Sequence, residues 1–248
     1  MICPDRTTIL SATLTQLDAT VNLVMHDIAA TTEELWSRYD ITADNLAAII
    51  RWCDDHDLSR HVRLYFDDNR RSVFDLVLAN LDIGAFAEVV IAAPVTSIGR
   101  SGYGTTDDLR AAAGLGVRVA AHGFSHMRVA SYDLVGNLLA TPLGGRYRDR
   151  SGAGRHDPMT ENEALFQLVE AKEHFTELLG ECTEFVLPHG CYNATTVALN
   201  QRFDLYTHLA TTDPGLDTGQ LLRPRFPVGA DDTVETLAAA ITAETSNP

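Results

Sequence analysis

The sequence predicts a single α/β domain folded as a distorted or incomplete parallel (β/α) barrel, and three observations carry that reading. Short apolar runs alternate with amphipathic, helix-like stretches along most of the chain, an order that implies parallel strands joined by crossover helices. A length of 248 residues suits one such barrel, with its core over about 20–230. Side chains capable of chemistry follow the apolar runs directly, and a parallel barrel gathers those strand ends at one mouth.

The elements follow in order. VNLVMH (21–26) is a short apolar run. TADNLAAIIRWCDDH (42–56) sets a capping threonine before Leu46, Ile49, Ile50 and Cys53 at helical spacing, so it should lie on a sheet as an amphipathic helix. HVRLYF (61–66) is strand-like, and SVFDLVLANLDI (72–83) is helix-like with Gly84 as its C-cap. AEVVIAAP (87–94) reads as a buried strand, TTDDLRAAAGLG (105–116) as a capped helix and VRVAAH (117–122) as the next strand. TENEALFQLVEAKEHFTELLG (160–180) is the clearest helix, opening with T-x-x-E and closing at Gly180. TEFVLP (183–188), ATTVALNQRF (194–203), LYTHLATT (205–212) and TVETLAAAITAE then continue the alternation. The first twenty residues form an extension without a specific signal, and the tail ETSNP is expected to be disordered.

Composition narrows the function. Hydrophobic residues at 45% and charged residues at 21% describe an ordinary globular protein. A net charge of −15 argues against nucleic-acid and anionic-membrane partners, which such a surface repels. No apolar run reaches membrane-spanning length and no export signal is visible, so a cytoplasmic location is expected. Cys3, Cys53, Cys182 and Cys191 lack C-x-x-C spacing and are expected to be reduced thiols. Neither a P-loop nor a dinucleotide fingerprint occurs, so no nucleotide cofactor is expected.

The polar groups past the strand runs are His26 and Asp27, Asp67 and Asp68, His122 and His126, His189, and Asp213. Alone, Asp67 and Asp68 suit a helix N-cap as well as a site. His122 and His126, in HGFSH, suit a polar turn as well as a metal. Together, two imidazoles and one carboxylate describe a divalent-metal site that keeps open positions, as a catalytic rather than a structural centre does. The second acid can then act as a base toward water.

These residues resemble the polysaccharide deacetylase family, also called the NodB-homology or carbohydrate esterase 4 group. YFDDN resembles the family's first motif TFDDG, and HGFSH its second, HTxxH. VMHDI, FVLPHGCYN and the segment LATTDPG with RPRFPV are similar to further family segments in the same order. The resemblance implies Asp67 as general base, Asp68, His122 and His126 as metal ligands, and a backbone N–H near Cys191 or Tyr192 as oxyanion donor. It also implies Pro188, Tyr192 and Arg225 as substrate contacts. The implied activity is hydrolysis of an N-acetyl amide on an amino-sugar substrate, with Zn²⁺ as the expected metal and Co²⁺, Ni²⁺ or Fe²⁺ as alternatives. A cytoplasmic location would favour a small saccharide, sugar nucleotide or biosynthetic intermediate. Two other readings stay open: a C–N hydrolase acting on a non-sugar amide or cyclic imide, and a catalytically weak carbohydrate-binding homologue.

The departures from the family pattern are specific. Asn69 replaces a glycine, so the turn after the two acids must accept a side chain. No arginine precedes Pro188, and His189 replaces an aromatic. No C-terminal histidine motif follows RPRFPV, which leaves His26 first and His189 second as candidates for the general acid. HGFSH is expected to turn into a first helical turn. The glycine-rich stretch 142–158, with Arg146, Arg148, Arg150 and Arg155, reads as a solvated loop or as a lid that recognises an anion.

Overall fold

A computed structural model describes residues 6–35, 37–130, 145–148, 154–157 and 159–246. Helix α1 (Arg6–Leu17) leads into strand β1 (Val21–Met25), followed by the short strands β2 (Ile28–Ala29) and β3 (Ile41–Thr42), which pair in parallel. Helix α2 (Ala43–Asp55) precedes β4 (Val62–Phe66) and β5 (Glu88–Ala93), and α3 (Thr106–Gly114) precedes β6 (Arg118–Ala121). Strands β7 (Gly145–Arg148) and β8 (Gly154–Asp157) form an antiparallel pair. Then come α4 (Glu161–Leu179), β9 (Glu184–Val186), α5 (Ala194–Arg202), β10 (His208–Ala210), β11 (Leu222–Arg223), β12 (Phe226–Pro227) and α6 (Val234–Thr245).

The main sheet runs β11-β10-β9-β6-β5-β4-β1-β12, and every pairing in it is parallel. Its two edge strands, β11 and β12, are separated in sequence only by Pro224 and Arg225. One chain segment thus bridges both edges, and the sheet curls into an incomplete (β/α) barrel. Strand residues alternate between two apolar layers. Val24, Tyr65, Val90, Ala92, Ala120, Val186 and Ala210 pack together inside the curl. Leu23, Leu64, Phe66, Ile91 and Phe185 face the larger core beneath the helices. Small residues at three of the seven inner positions leave room for Tyr65, whose hydroxyl donates to Glu184 Oε1 at 2.7 Å.

The helix signals operate as expected. The side chains of Thr42, Thr105 and Thr160 cap their helices, the last two in full capping boxes with Asp108 and Glu163. Gly180 ends α4 at a φ of 91°. The stretch 72–83 differs from expectation. It forms one wide turn (Val73–Val77) and a separate 3-10 turn (Ile83–Ala85) that contains Gly84, so Gly84 caps no long helix. β-branched Val73 and Val77, followed by Asn80, Asp82 and Gly84, weaken helix continuation, and Asn80 Nδ2 donates to the Leu76 carbonyl instead.

Helices occupy the described residues near both ends, while residues 1–5 and the last two of the tail ETSNP lie outside the described residues. Helix α1 buries Leu10 and Leu14, and α6 continues to Thr245, with Leu237 and Ile241 buried. Within 142–158 the backbone of 145–148 and 154–157 is a hairpin rather than an irregular loop. The rest of that stretch and Cys3 lie outside the described residues. Cys53, Cys182 and Cys191 are buried thiols. No described helix is long and apolar enough to cross a membrane.

Candidate metal centre

Strand β4 ends in Asp67 and Asp68, and the chain there turns through two left-handed residues, Asp68 (φ 70°) and Asn69 (φ 59°). Asparagine tolerates that region better than most residues. Asn69 is buried, and its Nδ2 donates to the Gly104 carbonyl at 3.0 Å, so the side chain in the glycine's place becomes a clamp.

His122 follows β6 directly and is buried. Its Nδ1 lies 2.8 Å from the Val186 carbonyl, a contact only a protonated Nδ1 can make, which leaves Nε2 with its lone pair free. Nε2 lies 3.5 Å from Asp68 Oδ1, and His126 Nε2 lies 3.2 Å from the same oxygen. The HGFSH segment is a clamped bend and forms no helical turn: His126 has a φ of 57°. Gln167 of α4 accepts from the Ser125 N–H at 2.9 Å, and the Gly123 and Phe124 carbonyls accept from Val95 and Thr96. The expected helical turn is absent because these partners claim the backbone groups that a helix would need.

Asp68, His122 and His126 each offer a ligand atom within 4.8 Å of the others. A tetrahedral Zn²⁺ with bonds of about 2.0–2.2 Å holds its ligand atoms roughly 3.3–3.6 Å apart, so the spacing suits one ion. Asp68 Oδ1, the atom facing both imidazoles, is buried and has no hydrogen-bond partner among the described residues. An unpartnered carboxylate oxygen between two imidazole nitrogens is a donor set that fits a divalent cation. Burial works against charge on Asp68, yet its neighbours His122 and then His126 hold the carboxyl well below the ordinary carboxylate range. Partial burial and then His122 lower His126 to about 4, so it is neutral at pH 7, the form that ligates.

Asp67 lies beside this triad and is buried. Arg225 Nη1 donates to both its oxygens, at 2.9 and 3.1 Å, and Arg225 Nε donates to the Thr211 carbonyl at 2.7 Å. Burial again opposes ionisation, but Arg225, followed by His122 and His26, outweighs it and lowers the Asp67 pKa. Arg225, expected among the substrate contacts, has a relative exposure of 0% and faces the acid from inside the barrel.

The other expected residues take separate places. His26, at the end of β1, is half-buried, with an Nδ1 that has no hydrogen-bond partner among the described residues and its ring 5.3 Å from that of Tyr39. His189 (φ 59°) is exposed, with its ring 4.6 Å from that of His126. Pro188 is buried and packs against Gly123. The Cys191 N–H donates to the Pro188 carbonyl at 3.2 Å, and its side chain is buried. The Tyr192 hydroxyl donates to Asp213 at 2.8 Å, and burial together with Asp213 pushes its pKa up to about 12. Asp27 holds the chain after β1 through Ser72 and the Ile28 N–H.

Of seven described non-glycine residues with positive φ, Asp68, Asn69, His126 and His189 sit at this mouth. Such strained backbone concentrates at functional sites. Gln167 and Arg70, which touch this loop and Asp68, had no local sequence signal to mark them, because each reaches the site through a contact set by the folded chain.

No family model matches the sequence, and no curated relative does. Solved structures do resemble it. The Streptococcus pyogenes deacetylase PplD in complex with acetate aligns with a TM-score of 0.68 at 15% identity, over 90% of this chain and 98% of that one. A de-N-acetylase from Aggregatibacter actinomycetemcomitans gives 0.68 at 15%, over 90% and 100%. IcaB from Ammonifex degensii gives 0.65 at 16%, over 90% and 97%. The chain has the NodB-like fold of the polysaccharide deacetylases.

Proposed function

We propose that this protein is a metal-dependent deacetylase that hydrolyses the N-acetyl amide of an amino-sugar-containing substrate. The observation that carries this reading is the pairing of an unpartnered, buried Asp68 Oδ1 between two imidazoles with a second, ionised acid, Asp67, beside it. The fold shared with deacetylases supports it.

Asp68, His122 and His126 would hold the cation. When bound, a divalent ion there polarises the amide carbonyl and lowers the pKa of a coordinated water. Asp67 accepts the proton of the attacking water, and Arg225 keeps its carboxylate ionised and aimed. The Cys191 N–H is committed to Pro188, so the Tyr192 N–H takes the oxyanion role of that pair. His26 supplies the proton to the leaving amine, since it lies beside both acids and its Nδ1 is unspent.

The test is metal analysis of the purified protein together with acetate release from a panel of N-acetylated sugars. Metal retention and loss of acetate release in Asp67→Asn support the reading. Undiminished release in that variant would sink it.

A further inference from the structure

Arg70 stands at the site mouth with most of its donors unspent. It leaves the Asp67–Asn69 turn and runs against the 102–104 loop. The Arg71 N–H donates to the Gly102 carbonyl at 3.0 Å, and the Gly104 N–H donates to the Asn69 carbonyl at 2.9 Å. This pairing sets the Tyr103 ring centroid 5.0 Å from the Arg70 guanidinium carbon. A Cβ on Gly104 would lie 2.3 Å from the Phe74 ring and 2.6 Å from Asn69 Oδ1, so only glycine lets the loop come this close.

A guanidinium has five N–H donors. One Nη1–H reaches the Tyr103 hydroxyl at 3.3 Å and one Nη2–H reaches Asp68 Oδ2 at 3.4 Å, both long for hydrogen bonds. The Nε–H is buried without a partner among the described residues, while 33% of the side chain is exposed. Arg225, by contrast, is enclosed and spends Nη1 and Nε on short bonds.

Charge balance points the same way. Asp67 and Asp68 are offset by Arg225 and Arg70, so a divalent cation at the triad would leave these four groups with surplus positive charge beside Arg70, in a chain of net charge −15. A positive cleft in an acidic protein draws anions. A guanidinium with free donors suits a carboxylate or phosphate, which it can bind through two parallel hydrogen bonds.

We propose that Arg70 and Tyr103 form an oxyanion subsite beside the metal triad, so that the substrate carries a carboxylate or phosphate close to its acyl group. The nature of the acyl group rests on the deacetylase reading above; the subsite itself rests on Arg70.

The experiment is calorimetric binding to Zn²⁺-loaded Asp67→Asn protein, with N-acetylglucosamine 6-phosphate, N-acetylmuramic acid and neutral N-acetylglucosamine as probes. At least one anionic sugar should bind about tenfold or more tightly than the neutral one, and which of them does so separates phosphate from carboxylate. Adding Arg70→Gln should bring that ratio to about one, while Arg70→Lys keeps part of it because the charge remains. If Arg70→Gln fails to fold, Arg70→Lys and Tyr103→Phe decide, each by lowering the ratio. Equal binding of the three sugars, no binding of any, or a ratio unmoved by these substitutions overturns the proposal. Absence of acetate release by the wild-type protein, with the binding preference intact, would instead reject the deacetylase reading alone.

Discussion

Arg225 grips both carboxylate oxygens of Asp67, at 2.9 and 3.1 Å, from a position with no exposure of its own. The pair joins β4 to the segment that closes the barrel, so one contact serves both the acid's charge and the barrel's closure. Replacing Arg225 by Met should abolish activity and destabilise the protein by about 3–5 kcal/mol, because a buried carboxylate loses its partner. Asp67→Asn should lower turnover by about 10²–10⁴-fold with metal content unchanged. Denaturant melts and steady-state kinetics on the two variants check both expectations.

The ligands should separate from their support. His126→Ala and Asp68→Ala should lose bound metal outright on elemental analysis. Gln167→Leu removes the acceptor that holds the Ser125 N–H, and metal affinity should fall about 10–100-fold, as it does when groups that orient ligands are lost. Competition with a chromophoric chelator measures that difference.

Gly190 is required by contact as well as by conformation. Its φ is 68°, and a Cβ there would lie 1.9 Å from Thr212 Oγ1. Gly190→Ala should cost at least about 1–2 kcal/mol from the left-handed backbone alone, with the clash added. Thr212→Ala in the same protein should relieve most of the clash, leaving its own Cβ at 2.9 Å, but not the backbone cost. Independent, additive effects in that double-mutant cycle would contradict the packing described.

Asp217 makes the fold acid-sensitive. Burial raises its pKa, but the Gly219 N–H and then Arg223 and Arg63 outweigh this and lower it. Arg223 Nε lies 2.8 Å from Asp217 Oδ2, and Arg63 pairs with the same oxygen. A carboxyl lowered in the folded state stabilises the fold above its ordinary pKa, and that stability is lost as pH falls through the lowered value. Asp217→Asn should therefore reduce Tm at pH 7 and flatten its decline below about pH 4. Parallel Tm–pH curves for the two proteins would remove Asp217 from this role.

The local code for most elements was plain in the sequence. Six apolar runs became the six longest strands of the main sheet, because a strand covered on both faces is apolar at most of its positions. Thr42, Thr105 and Thr160 marked helix starts because a cap uses only neighbouring backbone. Strands β11 and β12, two residues each, carried no such signal. Their pairing depends on edges that exist only once the sheet has curled.

The same division holds at the site. The sequence by itself determined the inventory: two acids after β4, two histidines after β6, and the parallel order that brings strand ends to one mouth. Tertiary structure alone decided how they are used. Val186 sets the ring of His122, Gln167 clamps the bend that carries His126, Arg225 faces Asp67 rather than solvent, and Arg70 meets the outer oxygen of Asp68. Periodicity and capping act over one or two turns of chain, whereas the geometry of these contacts is set by packing of the whole barrel, and most of them join residues far apart in sequence.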